Sequence, residues 1–433
     1  MSNRRHFIQS LSVPAAIGAF PTILKAAALG RGGAVSPSNR IVIATIGCGN
    51  MGNGHLNAFL KIPEAQVVAV CDLDETHLME ARDKVNKAYG NKDCATYHAF
   101  EEVIFRRDID AVTMATPDHW HGLVATSALR AGKDVYGEKP LAHNFHEGME
   151  IVAAVKKYNR IWQTGSWQRS KPQFHQACEL VRNGRIGKVT RVEVGLPGGP
   201  NDYGKFKDKV APTDPPANFF YDRWLGPAPD AVYSEARCHW NWRWNLDYGG
   251  GQLMDWIGHH CDIAHWGMGW DETGPYEVSG VGEYPARTEL WNSATKYRIN
   301  AKYAGGVELT IAGGHKDIIA GTKWYGDKGW VWVDRSGIKT EPAGLLQSAT
   351  GPNEIHLIKS ADHYKQFIEC VKSRQETITP ARIAHRSATP GWLGQIAMLT
   401  GRKISWDPEQ QKILYDDTAA QMLRRNMRKT YNL

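Results

Sequence analysis

No uninterrupted apolar run in these 433 residues reaches the roughly 18–20 positions that a bilayer-spanning helix needs, so no membrane span is expected. No two of the seven cysteines form a CxxC pair, which excludes a zinc ribbon, and their odd number encodes no disulfide framework. Blocks of lysine and arginine are missing too. The formal charge of +7 owes four charges to Arg4, Arg5, Lys25 and Arg31, in a stretch without acids; leaving these out gives +3, which argues against nucleic acid as a partner. The basic tail Arg424, Arg425, Arg428, Lys429 reads as a solvated helix face. What is present is a globular composition, 42% hydrophobic and 22% charged with both signs, which excludes disorder. The length suits about two to three domains.

Residues 1–39 read as an address and a linker rather than as part of the fold. Asn3-Arg4-Arg5-His6-Phe7-Ile8 resembles a twin-arginine export signal, and an apolar stretch broken by Pro14, Pro21 and Lys25 follows it. The expected destination is the periplasm, with the chain tethered to the membrane if the signal stays uncleaved.

Ile41–Ile46 is a short β-branched run of the kind that forms a buried parallel strand. Gly47-Cys48-Gly49-Asn50-Met51-Gly52 follows directly. In such a GxGxxG the first glycine makes the tight turn, the second admits a pyrophosphate, and the third lets helix and strand pack closely. A second strand, Val67–Cys71, ends in Asp72, twenty positions after Gly52. A carboxylate there bonds the adenosine ribose hydroxyls and repels a 2′-phosphate, so NAD is favoured over NADP. Strands and helices then alternate to Gly137, which predicts a doubly wound parallel sheet in an NAD-binding domain over 40–165. Ligands bind such sheets at the carboxyl ends of the strands. Two strand ends therefore matter: Thr116-Pro117-Asp118-His119-Trp120-His121, and Glu138-Lys139-Pro140.

Beyond residue 165 the pattern changes. Gly187–Val194, Lys296–Lys302, Val307–Ile311 and Gly329–Val333 alternate polar and apolar residues. This predicts an α/β domain over 166–355 with an open, mostly antiparallel sheet. Residues 356–433 are expected to be helices packing back on the first domain, and a tail. Seven of the 16 tryptophans fall between Trp224 and Trp270, as core packing or as platforms for a sugar. Within this stretch Asp255 and His259 stand four apart, on one face of a helix, where a carboxylate orients an imidazole and raises its basicity. That suits a base taking a proton from an alcohol. Asp255, His259, His260, His265 and His239 are also conceivable metal ligands, but the spacing matches no standard site and no metal is assigned.

Gly47–Gly52, Thr116-Pro117, Glu138-Lys139-Pro140 and the Asp255/His259 pair occur in the order found in the glucose-fructose oxidoreductase, inositol dehydrogenase and rhizopine-catabolism (Gfo/Idh/MocA) family. With Trp224–Pro229, Tyr248–Gly251, Ala384–Ala388 and Trp406–Pro408, the resemblance runs from about Arg40 to Pro408. It implies a Rossmann domain followed by an α/β domain whose open sheet joins subunits into homodimers or homotetramers. Carried over by position, Lys139, His259 and Asp255 would be catalytic. Gly47, Gly49, Asn50, Met51, Gly52, Asp72, Thr116, Pro117, His119, His121, Glu138 and Lys139 would hold the cofactor. Trp167, Arg169, His239, Asp255 and His259 would meet a carbohydrate substrate.

The resulting expectation is an NAD-dependent oxidoreductase that takes hydride from a ring hydroxyl of a sugar, glycoside or cyclitol. Export demands a cofactor that stays bound and is regenerated within one cycle. Paired oxidation and reduction of two substrates meets that demand. So does transient oxidation, elimination and re-reduction of one glycoside, with His259 or Tyr248 as second base. A non-catalytic sugar- or NAD-binding protein is the alternative of another class, and intact Lys139, Asp255 and His259 argue against it.

Overall fold

A computed structural model of the chain describes residues 35–199, 209–286 and 290–433. The export motif lies outside the described residues. The chain divides into a unit 1–40, whose described part holds one 3-10 turn, Pro37–Asn39, and a unit 41–433.

The larger unit opens with six parallel strands, β1 (Ile41–Ile46), β2 (Ala65–Cys71), β3 (Ala95–Tyr97), β4 (Ala111–Met114), β5 (Asp134–Gly137) and β6 (Trp162–Thr164). Their order is β3-β2-β1-β4-β5-β6, so the strand order reverses between β1 and β4 and leaves a crevice at the carboxyl ends of these strands. Strands β4 and β5 are buried throughout because helices cover both faces, which is why they read as apolar runs. The helix Glu75–Tyr89 follows the predicted span; Asp74 caps it, accepting from the Thr76 and His77 amides, and Gly90 closes it at φ +67°.

The second sheet has nine strands: β7 (Val189–Leu196), β8 (Glu277–Glu283), β9 (Lys296–Tyr303), β10 (Val307–Gly313), β11 (Gly321–Gly326), β12 (Gly329–Asp334), β13 (Gly337–Glu341), β14 (Ile404–Asp407) and β15 (Lys412–Leu414). Their order is β13-β12-β11-β7-β10-β9-β8-β14-β15, and every pair is antiparallel except β7 with β10. On β9, Tyr297, Ile299, Ala301 and Tyr303 are buried while the intervening residues are not, the two-residue period of a sheet covered on one face. The buried face meets Phe174, Trp266, Trp392 and Trp406 in the largest core cluster.

The tail departs from the expected all-helical segment. Strands β14 and β15 extend the sheet edge, pairing through β8, and bury Trp406. They are only four and three residues long, too short for periodicity to register. The helix His363–Ser373 does meet the first domain, placing Phe367, Ile368 and Val371 with Ile43, Phe59 and Tyr136. The helix Ala381–Thr400 straddles both lobes: Ala381 and Ala384 join the first core, Ala388, Trp392 and Ile396 the second. All seven cysteines are buried thiols. Among the described residues no helix is long and apolar enough to cross a membrane.

Candidate active site

A cavity of about 630 Å³ runs along the strand ends. Gly47, Gly49, Asn50, Met51, Asp72, Thr116, Pro117, His121, Glu138 and Lys139 line it, together with Trp167, His239, Asp255 and His259. The glycine turn has steric causes. Gly47 sits at φ +83°, and a Cβ there would meet the Ala115 carbonyl carbon at 2.7 Å. A Cβ on Gly52 would stand 1.9 Å from the Gly47 carbonyl oxygen, so Gly52 serves helix–strand contact and does not itself line the cavity. A Cβ on Gly49 would meet nothing within 4 Å, which leaves backbone open to a ligand. Asp72 is anchored at the end of β2: one carboxylate oxygen accepts from the Cys48 amide at 2.6 Å, the other from the Asp74 amide at 2.8 Å. Thr116 Oγ1 is buried without a partner among the described residues. These features fit a bound dinucleotide: open backbone at the glycines, a fixed acid for ribose hydroxyls, and an unsatisfied hydroxyl on the wall.

The two strand ends are tied together by His121, whose ring nitrogens lie 2.8 Å from the Pro140 carbonyl and 3.0 Å from the Thr116 carbonyl. Glu138 takes a bond of 3.0 Å with His55 and one from the Lys139 amide. Burial raises the Glu138 carboxyl, but His55 and Lys139 outweigh this and hold it below the usual carboxylate range. Gly165 leaves the space this carboxylate occupies, since a Cβ there would stand 2.6 Å from Glu138 Oε1.

Lys139 Nζ donates to the Asp255 carbonyl at 2.7 Å and to Asp255 Oδ1 at 2.9 Å. Gly258 permits this approach, because a Cβ there would collide with the Lys139 Cβ at 2.8 Å. The helix bearing Asp255 ends at Trp256 and passes into one π-helical turn, Ile257–Cys261, which carries His259. Such wide turns reorient side chains and recur at functional sites. They also upset a simple four-residue helical relation. The Asp255 carboxylate pairs with Lys139 and faces Arg243 Nε at 3.6 Å, while His259 Nδ1 is buried without a partner among the described residues. Burial, then Lys139 and Arg335, pushes His259 well below the ordinary histidine range. The expectation that Asp255 raises the basicity of His259 is therefore corrected: the imidazole is held neutral.

Four further assignments change. Arg169 does not reach the cavity; its guanidinium is buried, bonded to Asp262 at 2.7 and 2.9 Å and to Asp271 at 2.8 and 3.0 Å, and lies over Trp266. A buried guanidinium needs such pairing, and here it consumes the donors a substrate would use. His119 is fully buried, its Nε2 2.8 Å from the Trp224 carbonyl, so it fastens helix to loop instead of lining the cofactor cleft. His239 lines the cavity, but beside Asp74, at 3.9 Å, and next to His77 rather than with Lys139. Tyr248 is also buried, against Trp224, with its hydroxyl 3.2 Å from Arg237, so it is no base for this cavity.

Sequence reasoning missed Arg335 and Arg243 and carried Trp256 and Asp118 only within larger groups; all four line the cavity. Arg335 is held between the rings of Trp167 and Trp256, at 4.6 and 4.5 Å, and donates to Gln168 Oε1 at 3.0 Å. It stands in the turn between β12 and β13, 80 positions from Asp255, so no local spacing signals it. Asp118 opens the helix after β4; burial raises its carboxyl well above the usual range. It lies inside the Thr116–His121 segment that the sequence marks, which was the available signal.

Residues 41–166 match the oxidoreductase family, NAD-binding Rossmann fold, and residues 165–433 match the oxidoreductase family, C-terminal alpha/beta domain. The chain belongs to the Gfo/Idh/MocA oxidoreductase family. It is 23% identical over 351 residues to the uncharacterized oxidoreductase YrbE of Bacillus subtilis, covering 78% of this chain and 89% of that one. It is 32% identical to glycosyl hydrolase family 109 protein 2 of a Shewanella species over 44% of this chain and 45% of that one, so the match spans less than half of that relative. The aldose-aldose oxidoreductase of Caulobacter crescentus, solved with glycerol, shares the fold with a TM-score of 0.62 at 19% identity, over 84% of this chain and 99% of that one.

Proposed function

We propose that the chain transfers hydride from the carbon bearing a ring hydroxyl of a sugar, glycoside or cyclitol to NAD held in this cavity. One observation carries the reading: the Lys139–Asp255 pair and a neutral His259, whose Nδ1 has no partner among the described residues, line the same cavity as the glycine turn and Asp72. The nicotinamide ring of bound NAD supplies the hydride acceptor. Lys139 donates a hydrogen bond to the reacting hydroxyl and offsets charge as it builds on that oxygen. His259 accepts the hydroxyl proton, and Asp255 fixes the ammonium. Arg335, clamped between two indoles, and Trp167 hold the remainder of the ring. Asp72 favours NAD over NADP, because its oxygens already face amides and a 2′-phosphate would meet a carboxylate.

The test is direct. Protein purified without added cofactor is denatured and the released ligand identified by mass spectrometry; intact protein is then offered a panel of sugars and cyclitols while nicotinamide absorbance is followed. Absence of NAD, or of any reduction across the panel, removes the reading.

A second reading is supported by the Shewanella relative: transient ring oxidation, loss of an aglycone and re-reduction. Aglycone release from an aryl glycoside without added NAD favours it. Export to the periplasm stands on residues 3–29, and we propose that it makes retention of NAD a requirement. The half-exposed Tyr325 and Trp330 of the second sheet, with Lys323 at 4.5 and 4.1 Å from their rings, support assembly of subunits through that face.

A further inference from the structure

Asp74, His77 and His239 face one another on the cavity wall beside Asp72, each offering one ligand atom, and the three atoms lie within 4.8 Å of one another. Two come from the turn that starts the helix Glu75–Tyr89; the third comes from the irregular chain between Glu235–Arg237 and Asn241–Trp244. We propose that these three residues bind one divalent transition-metal ion of the zinc type, which staples the 235–245 segment to the end of β2 above the adenosine half of the dinucleotide cleft.

The geometry separates this from an ordinary ion pair. His239 Nε2 and Asp74 Oδ2 are 3.9 Å apart, too far for a hydrogen bond. Two ligands each about 2.0–2.2 Å from one zinc ion sit roughly 3.3–4 Å apart, so the gap is of the size an ion fills. The Asp74 carboxylate is already oriented: its Oδ1 accepts from the Thr76 amide at 2.8 Å and the His77 amide at 3.3 Å, which leaves Oδ2 for a ligand. The His77 and His239 rings stand 5.6 Å apart at 81°, edge to face, as two imidazoles do around a tetrahedral centre and not as a stacked pair. Phe219 packs on His239 at 5.4 Å and fixes its plane. His239 also holds φ +53°, a left-handed backbone that a non-glycine residue keeps only where its surroundings impose it. Its side chain is 42% exposed, so the ion has an entry path and an open position for water. Two imidazoles and one carboxylate are a donor set that zinc accepts, and a divalent charge would also offset the neighbouring carboxylates of Asp72 and Asp74. The two histidines lie 162 positions apart, which is why no sequence motif signals the site.

The staple rests on the proposed NAD binding, whereas the metal count does not. Full-length protein is stripped with a chelator, dialysed, and titrated with zinc or cobalt(II). Elemental analysis counts the metal, and the visible spectrum of cobalt reports its ligands. One equivalent per chain is expected, lost in His77→Ala/His239→Ala and retained in His239→Cys with a new thiolate-to-cobalt band. NAD release from the zinc-loaded protein is expected to be about tenfold slower than from the stripped protein, equal to about 1.4 kcal/mol. Substoichiometric zinc in the unaltered chain overturns the site, as does equal binding in a folded double variant. Stoichiometric zinc with unchanged NAD release overturns the staple. Equal weakening of NAD binding by His239→Ala with and without zinc overturns it in favour of direct contact between His239 and the nucleotide.

Discussion

Lys139 Nζ donates to both the carbonyl and the Oδ1 oxygen of Asp255, joining a Rossmann strand end to a helix 116 positions later. Burial raises the Asp255 carboxyl, but Lys139 and Arg243 together hold it below the usual range. Asp255 is therefore a carboxylate at neutral pH, and its hold fixes the direction of Lys139 Nζ. Lys139→Ala is expected to lower kcat/KM by about 10²–10⁴-fold while NAD stays bound, since the group acts on the reacting oxygen and not on the nucleotide. Steady-state kinetics and the NAD content of the purified variant check this together; unchanged turnover would remove Lys139 from the chemistry.

Arg335 tests the opposite kind of role. Clamped between Trp167 and Trp256, it is expected to hold substrate equally before and during reaction. Arg335→Ala is expected to raise KM by roughly tenfold or more and leave kcat within a few-fold. A fall in kcat at constant KM would place the guanidinium at the reacting centre instead.

The sequence made the first lobe legible because it is built from local signals. Ile41–Ile46, the glycine turn and Asp72 lie within 32 positions, and each has a backbone reason to be where it is. The Lys139–Asp255–His259 grouping was reachable through the family resemblance, not through spacing, because a π-helical turn intervenes. Arg169 misled for a physical reason. An arginine beside Trp167 invites a ligand role, yet the two carboxylates that neutralise it, Asp262 and Asp271, lie 93 and 102 positions away. Arg335 was invisible for the same reason in reverse: a turn residue acquires its meaning only when two distant indoles close on it.

That correction has its own test. Arg169→Leu removes one guanidinium from two acids, and Asp262 is left buried without its partner. Breaking such a pair costs about 3–5 kcal/mol. Denaturant unfolding is expected to show a loss of that order. A folded, stable Arg169→Leu variant with a raised KM would restore the substrate role.

Asp72 gives a selectivity prediction. Both its oxygens hold amides, so Asp72→Ser removes the charge while a hydroxyl remains near the turn. The ratio of NAD to NADP affinity is expected to fall by roughly tenfold or more, read by titration of stripped protein with each dinucleotide. An unchanged ratio would mean that another group excludes the 2′-phosphate.

Acid should unfold this protein early, and the cause is its buried imidazoles. Burial lowers His119 to about 3 and His260, His265, His363 and His385 to about 4. In the unfolded chain each returns to about 6.5, so between about pH 6.5 and 4 the unfolded state binds more protons than the folded one. The sign follows: stability is complete above about pH 6.5 and falls as pH drops through that window. Burial raises the carboxyls of Asp72, Asp118, Glu147, Asp247, Asp262 and Glu376, which pulls the other way, but these six groups stand against the five imidazoles above and against His121, His143 and His259, which are lowered as well. Tm measured by calorimetry is therefore expected to be flat above pH 7 and to drop continuously from pH 6.5 to 4.5. A Tm that held constant to pH 5 would mean that the fold does not depress these rings, and the neutral state of His259, which rests on the same burial, would lose its support.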